Sequence, residues 1–175
     1  YLVGKHREMY LHDMKLCQEF AKINRRTIQS IICYYMCWEV TKETERFQTI
    51  HNYIEYDTNI VRKGAISAKM GEKVLIPINM RDGCILGIGK GNEDWNYSAP
   101  HGAGRTMSRS KAKESILLEE YQKAMDGIFT TFVNTSTIDE SPMAYKTMDE
   151  IIGNIKDTVE IVDIIKPIYN FKANE

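Results

Sequence analysis

Between Lys5 and Lys63 the chain contains neither glycine nor proline, and this absence constrains the fold more than any other feature. Nothing in the stretch frees the backbone for left-handed conformations or removes an amide donor, so long hydrogen-bonded elements can run without a break. Leu11, Met14, Phe20, Ala21, Ile28, Ile31, Ile32 and Tyr35 recur at roughly helical spacing, which predicts one or two long helices reaching about Val40. Thr41 to Phe47 is expected to continue them as a short polar helix. Asn24-Arg25-Arg26 interrupts the apolar face and reads as a solvated turn of helix. Cys33 and Cys37 stand four apart on one helical face; core packing accounts for them better than metal ligation, because cysteine is among the most buried residue types. His6 and His12 lack partners at metal-ligand spacing and are expected on the surface.

Beyond this stretch, strand and turn signals alternate. Gln48 to Tyr53 reads as the end of a strand or the start of a loop, and Ile60 to Ile66 as a strand interrupted by a basic turn. Lys73 to Met80 predicts a strand ending near Pro77, with Arg81-Asp82-Gly83 as the turn into a hairpin partner at Cys84 to Ile88. Gly87-x-Gly89-x-Gly91 lacks the strand, helix and downstream acid of a dinucleotide site and reads as a flexible turn, from which Asp94 and Asn96 could reach His101. Ser110 to Gly127 is expected as one amphipathic helix, with Ile116, Leu117, Tyr121 and Met125 on its apolar face and Gly127 as its C-cap. Ile128 to Val133 reads as a strand, Ser141 to Lys146 as a loop, and Thr147 to Glu150 as a capping box opening a short helix. Thr158 to Ile165 is strand-like and ends at Lys166-Pro167. These patterns predict an α+β fold: long N-terminal helices, then a mixed β-sheet with additional helices.

With 175 residues and 43% hydrophobic content the chain can bury one real core, as one or two domains. The formal net charge is -1, so any affinity for nucleic acid must come from local patches, of which Arg62, Lys63, Lys69 and Lys73 form one and Arg105 to Lys113 another. Four cysteines without a C-x-x-C pair read as reduced thiols of a cytoplasmic protein, and neither a signal peptide nor a membrane span is recognisable. The chain opens at Tyr1 directly into a charged, helix-compatible run and is expected to be a piece of a longer one.

Chemistry concentrates in Ser98-Ala99-Pro100-His101-Gly102-Ala103-Gly104-Arg105-Thr106-Met107-Ser108-Arg109. Pro100 disfavours helix before His101, and Gly102 and Gly104 remove Cβ atoms after it, placing His101 on a loop that an anion can approach closely. Gly102, Ala103 and Gly104 would offer backbone amides to a phosphate, and Arg105 and Arg109 bidentate guanidinium clamps. Imidazole is largely neutral near physiological pH and can attack phosphorus when placed against it. A glycine turn followed by a solvated helix explains the same residues without any site.

The run S-A-P-H-G-A-G-R-T-M-S-R-S-K-A closely resembles the signature of the RtcB-type RNA ligases, which join RNA ends in tRNA splicing and RNA repair. Y-L-H-D-M-x-x-C-Q-E-F-A-x-x-N-R-R-x-I is similar to the family's Y-L-x-D-M-x-x-A-x-x-Y-A-x-x-N-R, and the likeness extends from about Tyr10 to Lys172. The resemblance implies that His101 accepts GMP from GTP. It implies that His51, in His-Asn-Tyr, binds one of two manganese ions. I-V-R-K-G-A-I resembles the family's H-R-K-G-A-T, with Ile60-Val61 before Arg62 in place of the family's His and Ile66 in place of Thr, and makes Arg62 and Lys63 candidates for contacting RNA or triphosphate. E-S-P-M-A-Y-K resembles E-A-P-x-A-Y-K, implying that Tyr145 lies beside the guanine nucleotide, and the tail implies the same for Lys172. Where the family has I-P-G-S-M-G this chain has I-P-I-N-M-R-D-G, so Asn79 is expected to substitute in nucleotide binding. The family's D-x-x-C motif and its other metal-binding histidines correspond to nothing in this sequence.

The resulting expectation is the C-terminal portion of a GTP- and manganese-dependent RNA ligase. It would join RNA ends bearing a phosphate or cyclic phosphate to 5′-hydroxyl ends through a GMP-histidine. Two alternatives stand beside it: a phosphohydrolase or phosphotransferase using His101, and a non-catalytic RNA-binding fragment without a complete metal site.

Overall fold

The structure is a computed structural model that describes residues 1–171. The chain forms two compact units, one from Tyr1–Phe47 with Tyr53–Asn59, the other from Gln48–Asn52 with the chain from Ile60 onward.

The first unit is built on α1, Gly4–Tyr35, a single helix of 32 residues. It stops short of Val40 because Cys37 turns left-handed, at φ 53°. The Trp38 amide then donates to Cys33 and the Cys37 amide to Tyr34, closing the last carbonyls of the helix in the pattern a glycine usually completes. Cys37 therefore leaves the helical face it was expected to share with Cys33, and it is exposed while Cys33 is half-buried. No residue of α1 is buried, so the apolar stripe with Phe20 at 72% exposure is not packed as core. His6 and His12 are exposed as expected. Thr41 to Phe47 is not helical; the Thr41 amide donates to Thr44 Oγ1 in a turn.

The strands form two three-stranded antiparallel sheets rather than one mixed sheet, within the α+β class the sequence predicts. One has the order β1 (His51–Glu55), β2 (Ile60–Ser67), β5 (Ser98–Pro100), and β2 runs through the basic residues without a break. The other has the order β3 (Lys73–Asn79), β4 (Gly83–Gly89), β6 (Val159–Ile165). β3 continues through Pro77 because it is an edge strand, where a missing amide costs no ladder bond. The Pro77 carbonyl points away from the sheet and accepts from Ala103.

Gly87 and Gly89 lie inside β4, which corrects their reading as a flexible turn. A Cβ on Gly89 would stand 2.4 Å from the Ala68 carbonyl carbon and the Lys69 oxygen, and one on Gly87 would meet Val159 at 2.4 Å. Close backbone approach explains these glycines.

Val74, Ile76, Ile78 and Ile85 of the second sheet pack with Ile66, Ala99, Ala103 and the buried face of α4, Met148–Ile155. Thr147 caps α4 by accepting from the Glu150 amide, the first half of the predicted capping box, while the Glu150 carboxylate pairs with Lys146 at 2.7 Å. A second cluster joins Met80 to Ala112, Ile116, Tyr121, Met125 and Ile138. Here the expected helix from Ser110 to Gly127 is two helices, α2 (Arg109–Ser115) and α3 (Leu118–Ala124), separated by extended backbone at Ile116 and Leu117. The break buries Ile116 and leaves Leu117 64% exposed. Ile128 to Val133 carries no strand; Thr130 only bridges to Asn170. Pro142–Ala144 of the expected loop forms a 3-10 turn.

Candidate active site

The site is assembled around the His101 ring. Asn52 and Gly64 both adopt left-handed backbone, at φ 55° and 67°. The Gly64 amide donates to Asn52 Oδ1 at 2.8 Å, and the Gly64 carbonyl stands 2.7 Å from His101 Nδ1. A carbonyl only accepts, so Nδ1 carries a proton, and in the neutral ring Nε2 is the nitrogen with the lone pair. The His101 amide donates to the same carbonyl at 3.3 Å, tying ring and backbone to one oxygen. The His51 ring lies 4.7 Å from the His101 ring, centroid to centroid, tilted by 36°.

His101 lines a cleft of ≈ 680 Å³ together with Asn79, Gly102, Ala103, Gly104, Arg105, Tyr145 and two residues not singled out in the sequence, Glu140 and Asn170. Backbone hydrogen bonds set the loop in place. Ala103 donates to Pro77, Thr106 to Ala144, and Lys146 to Gly104. A Cβ on Gly102 would come within 3.1 Å of the Pro77 oxygen, so this glycine permits the close approach of loop to strand. Asn79 is engaged in its own turn: its Oδ1 accepts from the Arg81 and Asp82 amides and its Nδ2 donates to Asp82. The Arg81 guanidinium beside Asp82 holds that carboxyl below its usual range despite partial burial.

The basic run after His101 is not an open cationic patch. Arg105 donates to Glu140 at 2.8 Å and Arg109 to Asp139 at 3.0 Å, with Lys113 3.7 Å from Asp139. The Asp139 side chain is 4% exposed. Arg105 also lies over the Tyr145 ring, 4.8 Å from its centroid, and donates to the Tyr145 hydroxyl. That hydroxyl donates to Glu140 at 2.9 Å, and burial together with the Glu140 carboxylate pushes its pKa up to about 12. Arg105 Nη1 is buried without a hydrogen-bond partner among the described residues, a donor that an acceptor in the cleft would satisfy. Glu140 opens the E-S-P-M-A-Y-K run quoted above but drew no role there, and Asp139 had no sequence signal, because nothing local links either to arginines some thirty positions away.

Arg62 differs from its expected role. It is 2% exposed, and its guanidinium donates to Ser98 Oγ and to the Asn96 and Tyr97 carbonyls. It braces the segment leading to His101, while the neighbouring Lys63 is exposed. Asp94 and Asn96 do not orient the His101 ring, which Gly64 holds; the Asn96 carbonyl serves Arg62 and Ser98 instead. Lys172 lies outside the described residues. Among the described residues no three His, Cys, Asp or Glu side chains come together to hold a metal ion, so the His51–His101 pair does not amount to a manganese site. No helix among the described residues is long and apolar enough to cross a membrane.

A family model described as tRNA-splicing ligase RtcB matches residues 2–173. The RNA-splicing ligase RtcB of Escherichia coli K12 is 32% identical over 178 residues, an alignment spanning 94% of this chain and 43% of the relative. The tRNA-splicing ligase RtcB of Aeropyrum pernix is 40% identical over 87 residues, 47% of this chain and 18% of the relative, and that of Nanoarchaeum equitans is 31% identical over 156 residues, 77% and 32% respectively. This chain thus spans less than half the length of these relatives, with its glycine-flanked histidine cleft inside the matched region. The chain belongs to the RtcB family.

Proposed function

We propose that this chain carries the nucleotide-accepting part of an RNA ligase. The observation that carries the reading is the 2.7 Å contact between His101 Nδ1 and the Gly64 carbonyl, which makes Nε2 the lone-pair nitrogen of the neutral ring in a residue lining the cleft. Nε2 attacks the α-phosphorus of GTP; a P–N bond forms, the P–O bond to the β-phosphate breaks, and pyrophosphate leaves. Positive charge developing on the imidazole is stabilised by the carbonyl dipole at Nδ1. Arg105 Nη1 supplies a donor to the phosphate, and Gly102, Ala103 and Gly104 let it approach the backbone. GMP then passes to an RNA end bearing a phosphate, freeing His101, and a 5′-hydroxyl end displaces GMP as the RNA ends join. Tyr145 and Asn79 would flank the nucleotide, and Lys63 and Arg109 would contact RNA or phosphate. Arg62 acts by bracing Asn96 to Ser98, and Lys172 is proposed as a further nucleotide contact.

For manganese, His51 is proposed as one donor. The residues present do not complete a site for the ion, so no step is assigned to it.

Intact mass after incubation with GTP and manganese tests the reading. The expected result is an acid-labile GMP adduct that is absent with ATP and in His101→Ala; an equal adduct in the His101→Ala protein would overturn it. The incomplete metal-ligand set favours one second reading, an RNA-binding segment without catalysis. It predicts no adduct, and RNA binding that survives His101→Ala and falls with salt.

A further inference from the structure

Gly64 also lines a second hollow, of ≈ 540 Å³, within the range of small-ligand pockets, roughly 300–1,000 Å³. Its lining includes Gly64, Pro100, Trp95, Asn154 and Asp157. Gly64 and Pro100 tie it directly to the nucleophile, since the Gly64 carbonyl holds the His101 ring and Pro100 precedes it in the chain.

Trp95 is 59% exposed here, yet the short 3-10 turn that carries it, Glu93–Trp95, is firmly fixed. Asn92 caps the turn at the Asp94 amide, and its Nδ2 donates to the Asp157 carbonyl. The Tyr97 hydroxyl donates to Glu93, and Arg62 grips the Asn96 and Tyr97 carbonyls from within. The opposite wall is equally set: buried Thr158 donates to the Ile155 carbonyl through both its amide and its hydroxyl. A large indole held on a rigid mount, with an amide and a carboxylate across the hollow, suits a flat aromatic ring with a polar edge. Lys63, next to Gly64 in β2, is exposed and positive, and suits a phosphodiester of a strand seated in the hollow.

We propose that the Trp95 hollow is a subsite for one unpaired nucleobase of single-stranded RNA, stacked on the indole, with Asn154 and Asp157 at its polar edge. The adjoining phosphate is thereby carried past Lys63 toward His101. This rests on the RNA ligase reading and adds to it where the strand is gripped.

The test uses the full chain with Trp38→Phe, which leaves Trp95 as the one tryptophan of the two in the sequence. A short single-stranded oligoribonucleotide should quench its fluorescence, and Trp95→Ala should weaken binding by about fivefold to a hundredfold, the usual span for loss of one base stack. Trp95→Phe should restore most of the affinity, and circular dichroism should match the parent. RNA binding without quenching and without loss in Trp95→Ala would overturn the subsite while leaving the RNA reading intact. Quenching by GMP but not by the oligonucleotide would reassign the hollow to a free nucleotide and overturn the proposal. Absence of any RNA binding by the parent chain would overturn the RNA reading, and the subsite with it.

Discussion

The Gly64 carbonyl does at His101 what a carboxylate does at many catalytic histidines: it fixes the tautomer and orients the ring, without adding a negative charge. Asn52 holds the Gly64 amide from behind, so it is a positioning residue. Asn52→Gly, which removes the acceptor and tolerates the left-handed φ of 55°, should slow GMP-adduct formation about fivefold, the rate equivalent of about 1 kcal/mol, with little change in melting temperature; stopped-time intact mass reads the rate and circular dichroism the melting. Gly64→Ala should act differently. At φ 67° an alanine is strained, whereas its Cβ would meet the His101 ring at an ordinary 3.7 Å. A stability loss of about 1–2 kcal/mol in urea unfolding is expected, with the ring still in place. Tyr145 supplies a pH test. Its pKa is raised to about 12, so the folded state keeps a proton that the unfolded chain has lost above about pH 10. This contribution to stability is fully present below that pH and is lost as pH rises through about 12. Spectrophotometric titration should show one fewer late-ionising phenol in Tyr145→Phe, and a shallower loss of stability in alkali.

Elements differ from their sequence patterns where packing outweighs periodicity. A single helix from Ser110 to Gly127 would align Ile116 and Leu117 on neighbouring positions of one face, but the break between α2 and α3 buries one and exposes the other. Ile116→Ala should therefore cost about 2–4 kcal/mol and Leu117→Ala no more than about 0.5 kcal/mol, measured by urea unfolding. Of the β4 glycines, Gly87 fell within the predicted hairpin partner, whereas Gly89 was legible as special but not as strand, because its cause is the Ala68–Lys69 backbone passing against it. By contrast, the hairpin of β3 and β4, the cap of α4 and the strand β6 were legible, since each rests on turn, cap or β-branched chemistry that acts between near neighbours.

Across the described residues as a whole, charge placement decides how nucleic acid could bind. Arg105 and Arg109 face Asp139 and Glu140, so the basic run contributes less net attraction than its composition implies, in a chain of formal charge -1. RNA affinity should still fall with salt, with a log–log slope of about −0.7 for each phosphate neutralised on a single strand. Lys63→Ala should reduce the slope by about one such step, while His101→Ala leaves it unchanged; fluorescence anisotropy across a salt series checks both.

The sequence alone determined the identity of the chemical run around His101, the α+β class and most element positions, because glycine, proline, capping residues and periodicity act within a few positions of themselves. Only the tertiary structure decided what each side chain faces. It placed the Gly64 carbonyl on an imidazole 37 positions away, turned Arg62 inward as a brace and set two carboxylates against the phosphate-clamp arginines. Such contacts are fixed by how strands and loops pack over a shared core, and local sequence carries no record of which distant segment will arrive.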